Sequence, residues 1–299
     1  MSIVDIQHIS KSFGSKQVLN DVSIKIEEGR IFGLIGQNGA GKTTLMKIIL
    51  GLLKKDAGDI TLVGEKVQFG QTVTNQAIGY LPDVPSFYPY YTAYEYLLLC
   101  GEITGLSKKE RELRAKETLT QVGLEKNNKK IASFSRGMKQ RLGIAQALIH
   151  KPKILICDEP TSALDPNGRR DILKILQQIK HETTVIFSTH LLNDAENICD
   201  DLAILHNGSF VISGDVQHLL NERRKSTLFI EAPVQTLEKL KEAFPEATDK
   251  NHGIALHSAS IEKTQSTLFQ YCLDHQLVID SMSIEKTTLD DLFMEVTAK

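Results

Sequence analysis

Residues 2–28 alternate apolar and polar positions with the two-residue period of β-strands, with turns at Ser10–Lys16 and at Glu27-Glu28-Gly29. Arg30 to Ile35 is a short apolar, strand-like run, and Thr44 to Leu50 beyond it is helix-like. Asp56-Ala57-Gly58-Asp59 turns into a strand over Ile60 to Val63. Residues 92–122 read as helical: Tyr94, Leu97, Leu98 and Gly101 recur at helical spacing, and the charged stretch Lys108 to Lys116 covers a solvent face. A second helix starts near Ser135 and runs to His150. Ile154-Leu155-Ile156-Cys157 is a continuous apolar run, as expected of a strand buried on both faces of a parallel sheet. A helix over Asp171–Lys180, a strand over Thr183–Ser188, a helix over Leu191–Cys199 and a strand over Leu202–Leu205 follow. Such alternation predicts an α/β domain.

A polar, charged break, Asn221-Glu222-Arg223-Arg224-Lys225-Ser226, separates this region from a fresh pattern. Strands are expected over Leu228–Glu231, Ile254–Leu256 and Val278–Ile284. Helices are expected around Leu237, Leu240 and Phe244, closed by Pro245, and over Ile261–Leu273 and Leu289–Val296. The boundaries are therefore residues 1–220 for the first domain and 221–299 for a small C-terminal α/β domain without a catalytic motif. Its default role is that of a packing or dimer-stabilising accessory.

Composition narrows the setting. The 299-residue chain holds about two domains of ordinary size. A formal net charge of −2 gives no support to a nucleic-acid-binding surface, so no nucleic-acid partner is expected. No apolar run approaches the roughly 18–20 residues needed to cross a bilayer. The N-terminus, Met1-Ser2-Ile3-Val4-Asp5, lacks the basic and apolar regions of a secretory signal. Cys100, Cys157, Cys199 and Cys272 lie far apart with no C-x-x-C pair, and read as small buried residues in a reducing compartment.

The chemistry starts at Gly36-Gln37-Asn38-Gly39-Ala40-Gly41-Lys42-Thr43, which spells the phosphate loop G-x-x-x-x-G-K-[ST] between a strand-like and a helix-like segment. Glycines let the backbone turn its N–H groups toward phosphate oxygens, and the helix N-terminus adds partial positive charge. Lys42 is placed to reach the β/γ-phosphates and the Thr43 hydroxyl to ligate Mg²⁺; Thr44 joins the nucleotide-binding set. The loop predicts nucleoside triphosphate binding. The apolar strand Ile154–Cys157 ends in Asp158-Glu159-Pro160. Ligands of such sheets sit at the carboxyl ends of strands, so Asp158 is placed to hold Mg²⁺ and Glu159 to activate the attacking water.

With these two motifs the chain resembles the ATP-binding subunits of ABC transporters, over residues 1 to about 220. Phe134-Ser135-Arg136-Gly137-Met138-Lys139-Gln140-Arg141 stands where that family has its LSGGQ signature. Ser162-Ala163-Leu164-Asp165 matches the D-loop, His190 the switch histidine, and Phe13 the aromatic on the adenine face. The resemblance implies a P-loop NTPase fold with a parallel sheet core, an antiparallel β subdomain and a helical subdomain over about 84–148. It implies that Ser135, Arg136, Gly137 and Met138 meet the nucleotide of the opposite subunit, so that two chains sandwich two ATPs. It also implies that His190 contacts the γ-phosphate and ties it to Glu159.

Two departures stand out. Arg136 replaces the first signature glycine, either adding charge near the phosphate or pointing to solvent, and Asp83, after Ala77-Ile78-Gly79-Tyr80-Leu81-Pro82, stands at the Q-loop glutamine. As a carboxylate, Asp83 is a candidate Mg²⁺ ligand beside Thr43 and Asp158, or a residue facing the membrane partner.

Together with the short C-terminal domain and Leu289-Asp290-Asp291-Leu292-Phe293, these features resemble the bacterial bacitracin, lantibiotic and multidrug exporter ATPases. The implied function is ATP hydrolysis that powers export through a separate transmembrane permease. The chain would act as a homodimer, or as a heterodimer with a second ATP-binding subunit, peripheral on the cytoplasmic side of the membrane. The alternative is a soluble ABC-type ATPase in translation or DNA maintenance; such proteins usually carry two nucleotide domains or a coiled-coil insertion, neither of which is visible here. Five of seven tyrosines, Tyr88, Tyr90, Tyr91, Tyr94 and Tyr96, crowd the region that in the family receives the permease's coupling helix. Amphipathic aromatics suit such an interface, and they also suit the core of the helical subdomain.

Overall fold

The computed structural model describes residues 2–70, 73–125, 128–222, 226–258, 260–285 and 288–297. Of the charged break at 221–226, Arg223, Arg224 and Lys225 lie outside the described residues. In chain order the first part runs β1 (Ser2–Phe13), β2 (Lys16–Glu27), β3 (Ile31–Ile35), α1 (Lys42–Ile49), β4 (Ala57–Leu62), β5 (Glu65–Lys66) and β6 (Ile78–Leu81). Three helices follow: α2 (Ala93–Ile103), α3 (Lys108–Gln121) and α4 (Arg136–Leu148). The chain then returns to the sheet through β7 (Ile154–Cys157), α5 (Pro166–Ile179), β8 (Thr184–Thr189), α6 (Leu192–Ile198), β9 (Asp201–His206), β10 (Ser209–Asp215) and α7 (Val216–Glu222). The second part comprises β11 (Ser226–Glu231), α8 (Val234–Ala243), β12 (Thr248–Lys250), β13 (Gly253–Ser258), α9 (Ile261–Asp274), β14 (Ser281–Glu285) and α10 (Leu289–Thr297).

Two compact units result, the first comprising the chain up to Val216 together with its last residues from Val296, and the second spanning Gln217–Glu295. The first contains a six-stranded sheet in the order β10-β9-β3-β8-β7-β6 and a four-stranded sheet in the order β2-β1-β4-β5. In the larger sheet β9, β3, β8, β7 and β6 are parallel, and β10 closes one edge antiparallel to β9. Every residue of β3, β7 and β8 is buried, which explains the runs Ile31–Ile35, Ile154–Cys157 and Val185-Ile186-Phe187 without a charged or polar side chain. The smaller sheet is antiparallel, and Val4, Ile6, Ile9, Leu19 and Ile60 from it pack with Leu45, Met46 and Ile156 in one core.

At the amino ends of the parallel strands, side chains stitch neighbours together. Arg30 Nη1 lies 2.6 Å from Asp201 Oδ1, the Ile31 N–H donates to Asp200 Oδ2 at 2.9 Å, and Lys180 Nζ bonds Asp200 Oδ1 at 2.9 Å.

Several boundaries differ from the sequence pattern for identifiable reasons. Residues 92–122 form two helices, because Thr104 caps α2 and Gly105 takes φ 83. Ser107 and Glu110 then open α3 with a reciprocal capping box. Helix α5 begins at Pro166, ahead of Asp171, because the Asp165 carboxylate accepts the Gly168 N–H at 3.3 Å and Pro occupies the first turn. Strand β4 begins at Ala57, within the stretch expected to turn. Strand β10 and helix α7 were not anticipated, although Asn207-Gly208 is a hairpin turn signal.

The second unit is an antiparallel sheet, β12-β13-β11-β14. Leu228, Ile230, Ile254 and Leu256 from its strands meet Leu240 and Phe244 of the α8 region and Leu268 and Cys272 of α9. Among the described residues, no helix of either unit is long and apolar enough to cross a membrane.

Candidate active site

The phosphate loop connects β3 to α1, and two of its glycines are sterically required. A Cβ at Gly36 would stand 2.5 Å from the Leu205 carbonyl oxygen. Gly41 takes φ 111, and a Cβ there would meet the Val18 carbonyl oxygen at 2.9 Å. Helices α2, α3, α4 and α5 each receive a side-chain cap from Thr92, Ser107, Ser135 and Asp165, whereas the Gly41 end of α1 receives none. Its first-turn N–H groups therefore point into the loop without a side-chain acceptor. Gln37, Asn38 and Gly39 are exposed, while Ala40 and Thr44 are half-buried.

Lys42 is only 5% exposed, and its ammonium donates to the Gly36 carbonyl at 2.7 Å. It also lies 3.1 Å from Glu159 Oε1, an ion pair without hydrogen-bond geometry. The other Glu159 oxygen accepts from His190 Nδ1 at 2.8 Å, which places a proton on that ring nitrogen. Beside this chain the Thr43 hydroxyl donates to Asp158 Oδ2 at 2.9 Å. Lysine, glutamate and histidine, drawn from three segments, thus form one line of contacts, with the threonine–aspartate pair alongside.

Strand adjacency produces this convergence. β7 pairs with β8, so Asp158 and Glu159 beyond β7 stand next to Ser188 and His190 at the end of β8. Ser188 is the residue that the sequence analysis missed. Its hydroxyl donates to Asp158 Oδ1 at 2.7 Å and accepts the Glu159 N–H at 3.0 Å, holding both acids at once. The available signal was a polar residue closing the apolar run Val185-Ile186-Phe187 two positions before His190. The half-buried Tyr80 phenol is pushed up to about 12, first by burial and then by Asp158, with Cys157 and Asp83 adding less.

The remaining candidates lie around this centre. Ser135 caps α4, its hydroxyl oxygen accepting the Met138 N–H at 3.2 Å, which leaves its O–H free to donate. Arg136 is half-exposed and Gly137 opens the helix. Asp83 is taken up by protein partners: its Oδ1 accepts the Ser162 hydroxyl at 2.6 Å, with Arg136 Nη2 at 3.8 Å. In the D-loop, Ala163 takes φ 51, Leu164 is buried and Asp165 caps α5. Phe13, at the end of β1, is 50% exposed and has the Lys11 ammonium 5.3 Å from its ring centre. The tyrosines divide: Tyr96 is buried, Tyr91 and Tyr94 are half-buried, and Tyr88 and Tyr90 are exposed. Tyr88 is in ring contact with Tyr90, Tyr91 and Tyr96.

Comparison with known proteins gives the same outline. Residues 19–162 match the ABC transporter family, and residues 214–297 match the C-terminal domain of DrrA1-3-like ATP-binding proteins. An uncharacterized ABC transporter ATP-binding protein of Bacillus subtilis, YxlF, is 37% identical over 98% of this chain and 99% of its own length. The bacitracin transport ATP-binding protein BcrA of Bacillus licheniformis is 32% identical over 99% of this chain and 97% of its own. Among solved structures, an ATP-binding cassette determined as a dimer in a post-hydrolysis state with ADP and Pi aligns at TM-score 0.64 and 28% identity. It covers 71% of this chain and 98% of that one.

Proposed function

The chain belongs to the ATP-hydrolysing ATP-binding proteins of ABC transporters, and we propose that it drives export through a separate transmembrane permease. It would act as an ATP-bridged dimer, homomeric or with a second ATP-binding subunit, peripheral on the cytoplasmic face of the membrane. The observation that carries this reading is the contact line Lys42–Glu159–His190 beside Thr43–Asp158 at the end of the phosphate-loop sheet. Residues 1–220 would form the nucleotide-binding domain and 221–299 an accessory domain. The likeness to BcrA over nearly the whole of both chains supports export as the task.

Each residue has a physical role. Lys42 and the N–H groups around Gly39 and Gly41 would bind the anionic phosphates, and Phe13 would offer its exposed ring face to the base. Glu159 would accept a proton from the attacking water, with His190 Nδ1–H fixing the carboxylate that does so. Ser135 and Gly137 would present a hydroxyl and helix N–H groups to the nucleotide held by the other subunit.

Thr43 Oγ1 and Asp158 Oδ2 form a hard oxygen pair 2.9 Å apart that fits Mg²⁺. When bound there, the ion would neutralise charge on the phosphate oxygens. Asp83 fits that set poorly, since its Oδ1 already serves Ser162.

Phosphate release from ATP by the purified chain, with and without a reconstituted permease, tests the proposal. Stimulation of turnover by the permease supports it. Full, permease-indifferent turnover with no ATP-dependent dimer would overturn it.

A further inference from the structure

The turn that leaves β7 holds its residues in an uncommon backbone conformation. Glu159 takes φ 48 and Ala163 φ 51, a region that side-chain-bearing residues adopt only where surrounding contacts impose it. Ser162 lies between them and is held twice. Its N–H donates to the Glu159 carbonyl at 3.1 Å, closing the turn on the catalytic residue itself. Its hydroxyl donates to Asp83 Oδ1 at 2.6 Å, across 79 residues of chain. The same oxygen faces Arg136 Nη2 at 3.8 Å, at the start of α4. Asp83 therefore stands where three segments meet: the end of β6, the turn bearing Glu159 and the first turn of the signature helix.

We propose that Asp83 is a positioning residue for Glu159. It anchors Ser162, and through it the turn that sets where the Glu159 carboxylate stands, while Arg136 faces the same Asp83 oxygen from the start of α4. The inference rests on the reading of Glu159 as the group that activates water. It assigns the Q-loop carboxylate to holding geometry, in place of the metal ligation that its charge suggests. A displacement of the base by a fraction of an ångström is enough to slow the chemical step while leaving nucleotide affinity in place.

The test is a double-mutant cycle on the purified chain, read by steady-state phosphate release and by equilibrium binding of a fluorescent ATP analogue. Asp83→Ala and Ser162→Ala should each lower kcat about tenfold with little change in nucleotide Kd, and the double variant should be no slower than either single one. Independent roles would instead multiply to about a hundredfold. Asp83→Asn keeps an oxygen for the Ser162 hydroxyl and should recover most of the rate. Mg²⁺ titrations of the wild type and all variants should superimpose. A multiplicative double variant, an Asp83→Asn as slow as Asp83→Ala, or a raised half-saturating Mg²⁺ in both Asp83 variants would each overturn the inference. Thermal unfolding midpoints identify any variant that fails to fold; Asp83→Asn and Ser162→Ala carry the test if Asp83→Ala does. A wild-type chain without turnover would remove the ATPase reading itself.

Discussion

The two sheets at the centres of the two units use similar aliphatic residues and differ in strand direction. In the six-stranded sheet β3, β7 and β8 run parallel, so their carboxyl ends share one rim. The residues just past those ends, Lys42 and Thr43 beyond β3, Asp158 and Glu159 beyond β7, and His190 beyond β8, meet there. In the second unit neighbouring strands run antiparallel, and polar residues satisfy each other across the ladder. Thr227 stands opposite His257 and bonds it at 2.9 Å; Ser281 stands opposite Glu231 and bonds it at 2.6 Å. One arrangement gathers reactive groups at an edge, and the other pairs them off. Strand direction decides which residues are left for chemistry.

The contrast breaks most sharply at Lys42. Lys42→Ala should lower ATP turnover by about three orders of magnitude, because the phosphates lose their buried cation; phosphate release near the wild-type rate would remove the rim from the mechanism. Next, Glu159→Gln should slow turnover about a hundredfold or more while keeping ATP bound, and an ATP-dependent dimer should accumulate on size-exclusion chromatography. A variant that stays monomeric with saturating ATP would contradict the sandwich.

Leu228→Ala, at a fully buried position of the second unit, should cost that unit about 2–5 kcal/mol. Calorimetry should show a lowered transition while ATPase activity of the isolated chain changes less than about twofold; loss of turnover would mean that the chemistry extends beyond the first unit. The smallest expected effect is at a helix cap. Glu95, bonded to the Thr92 N–H and to Lys130, is held down at about 2. Its contribution is present above the ordinary value of 4.5 and fades as pH falls from there through 2. Helices α8 and α9 have no side-chain caps. Acidification should therefore lower amide-exchange protection in the first turn of α2 more than in α8 or α9.

Local information pointed to the residues that converge at this rim. The phosphate loop, the acids ending β7 and the histidine ending β8 all carry their meaning within a few residues of an apolar run. Residues whose meaning comes from a distant neighbour stayed hidden. Ser188 closes an apolar run, but its importance comes from Asp158 and Glu159, about 30 residues away on the neighbouring strand. Asp83 invited a metal-binding reading from its charge, whereas its hydrogen-bond donor is 79 positions away. Some misses had local signals after all. Ser107-x-x-Glu110 marks a helix start that a single helix over 92–122 overran, and Asp165-Pro166 marks the start of α5. In those places periodicity outweighed capping chemistry, which fixes where a helix begins.

The stitched amino ends of the parallel strands serve as an origin of measurement. Arg30 and Ile31 are pinned to Asp201 and Asp200 on one flank, and β3 is a ruler of five residues laid from that mark to the phosphate loop. A ruler graduated in strand residues advances about 3.3 Å per division and turns over at each one. Slipping by a single division would displace Gly36 and everything after it by as much as the whole 3.1 Å span from Lys42 to Glu159. The half-buried ion pairs at the far rim are thus a calibration of the distance between Lys42 and Glu159, read out five residues away.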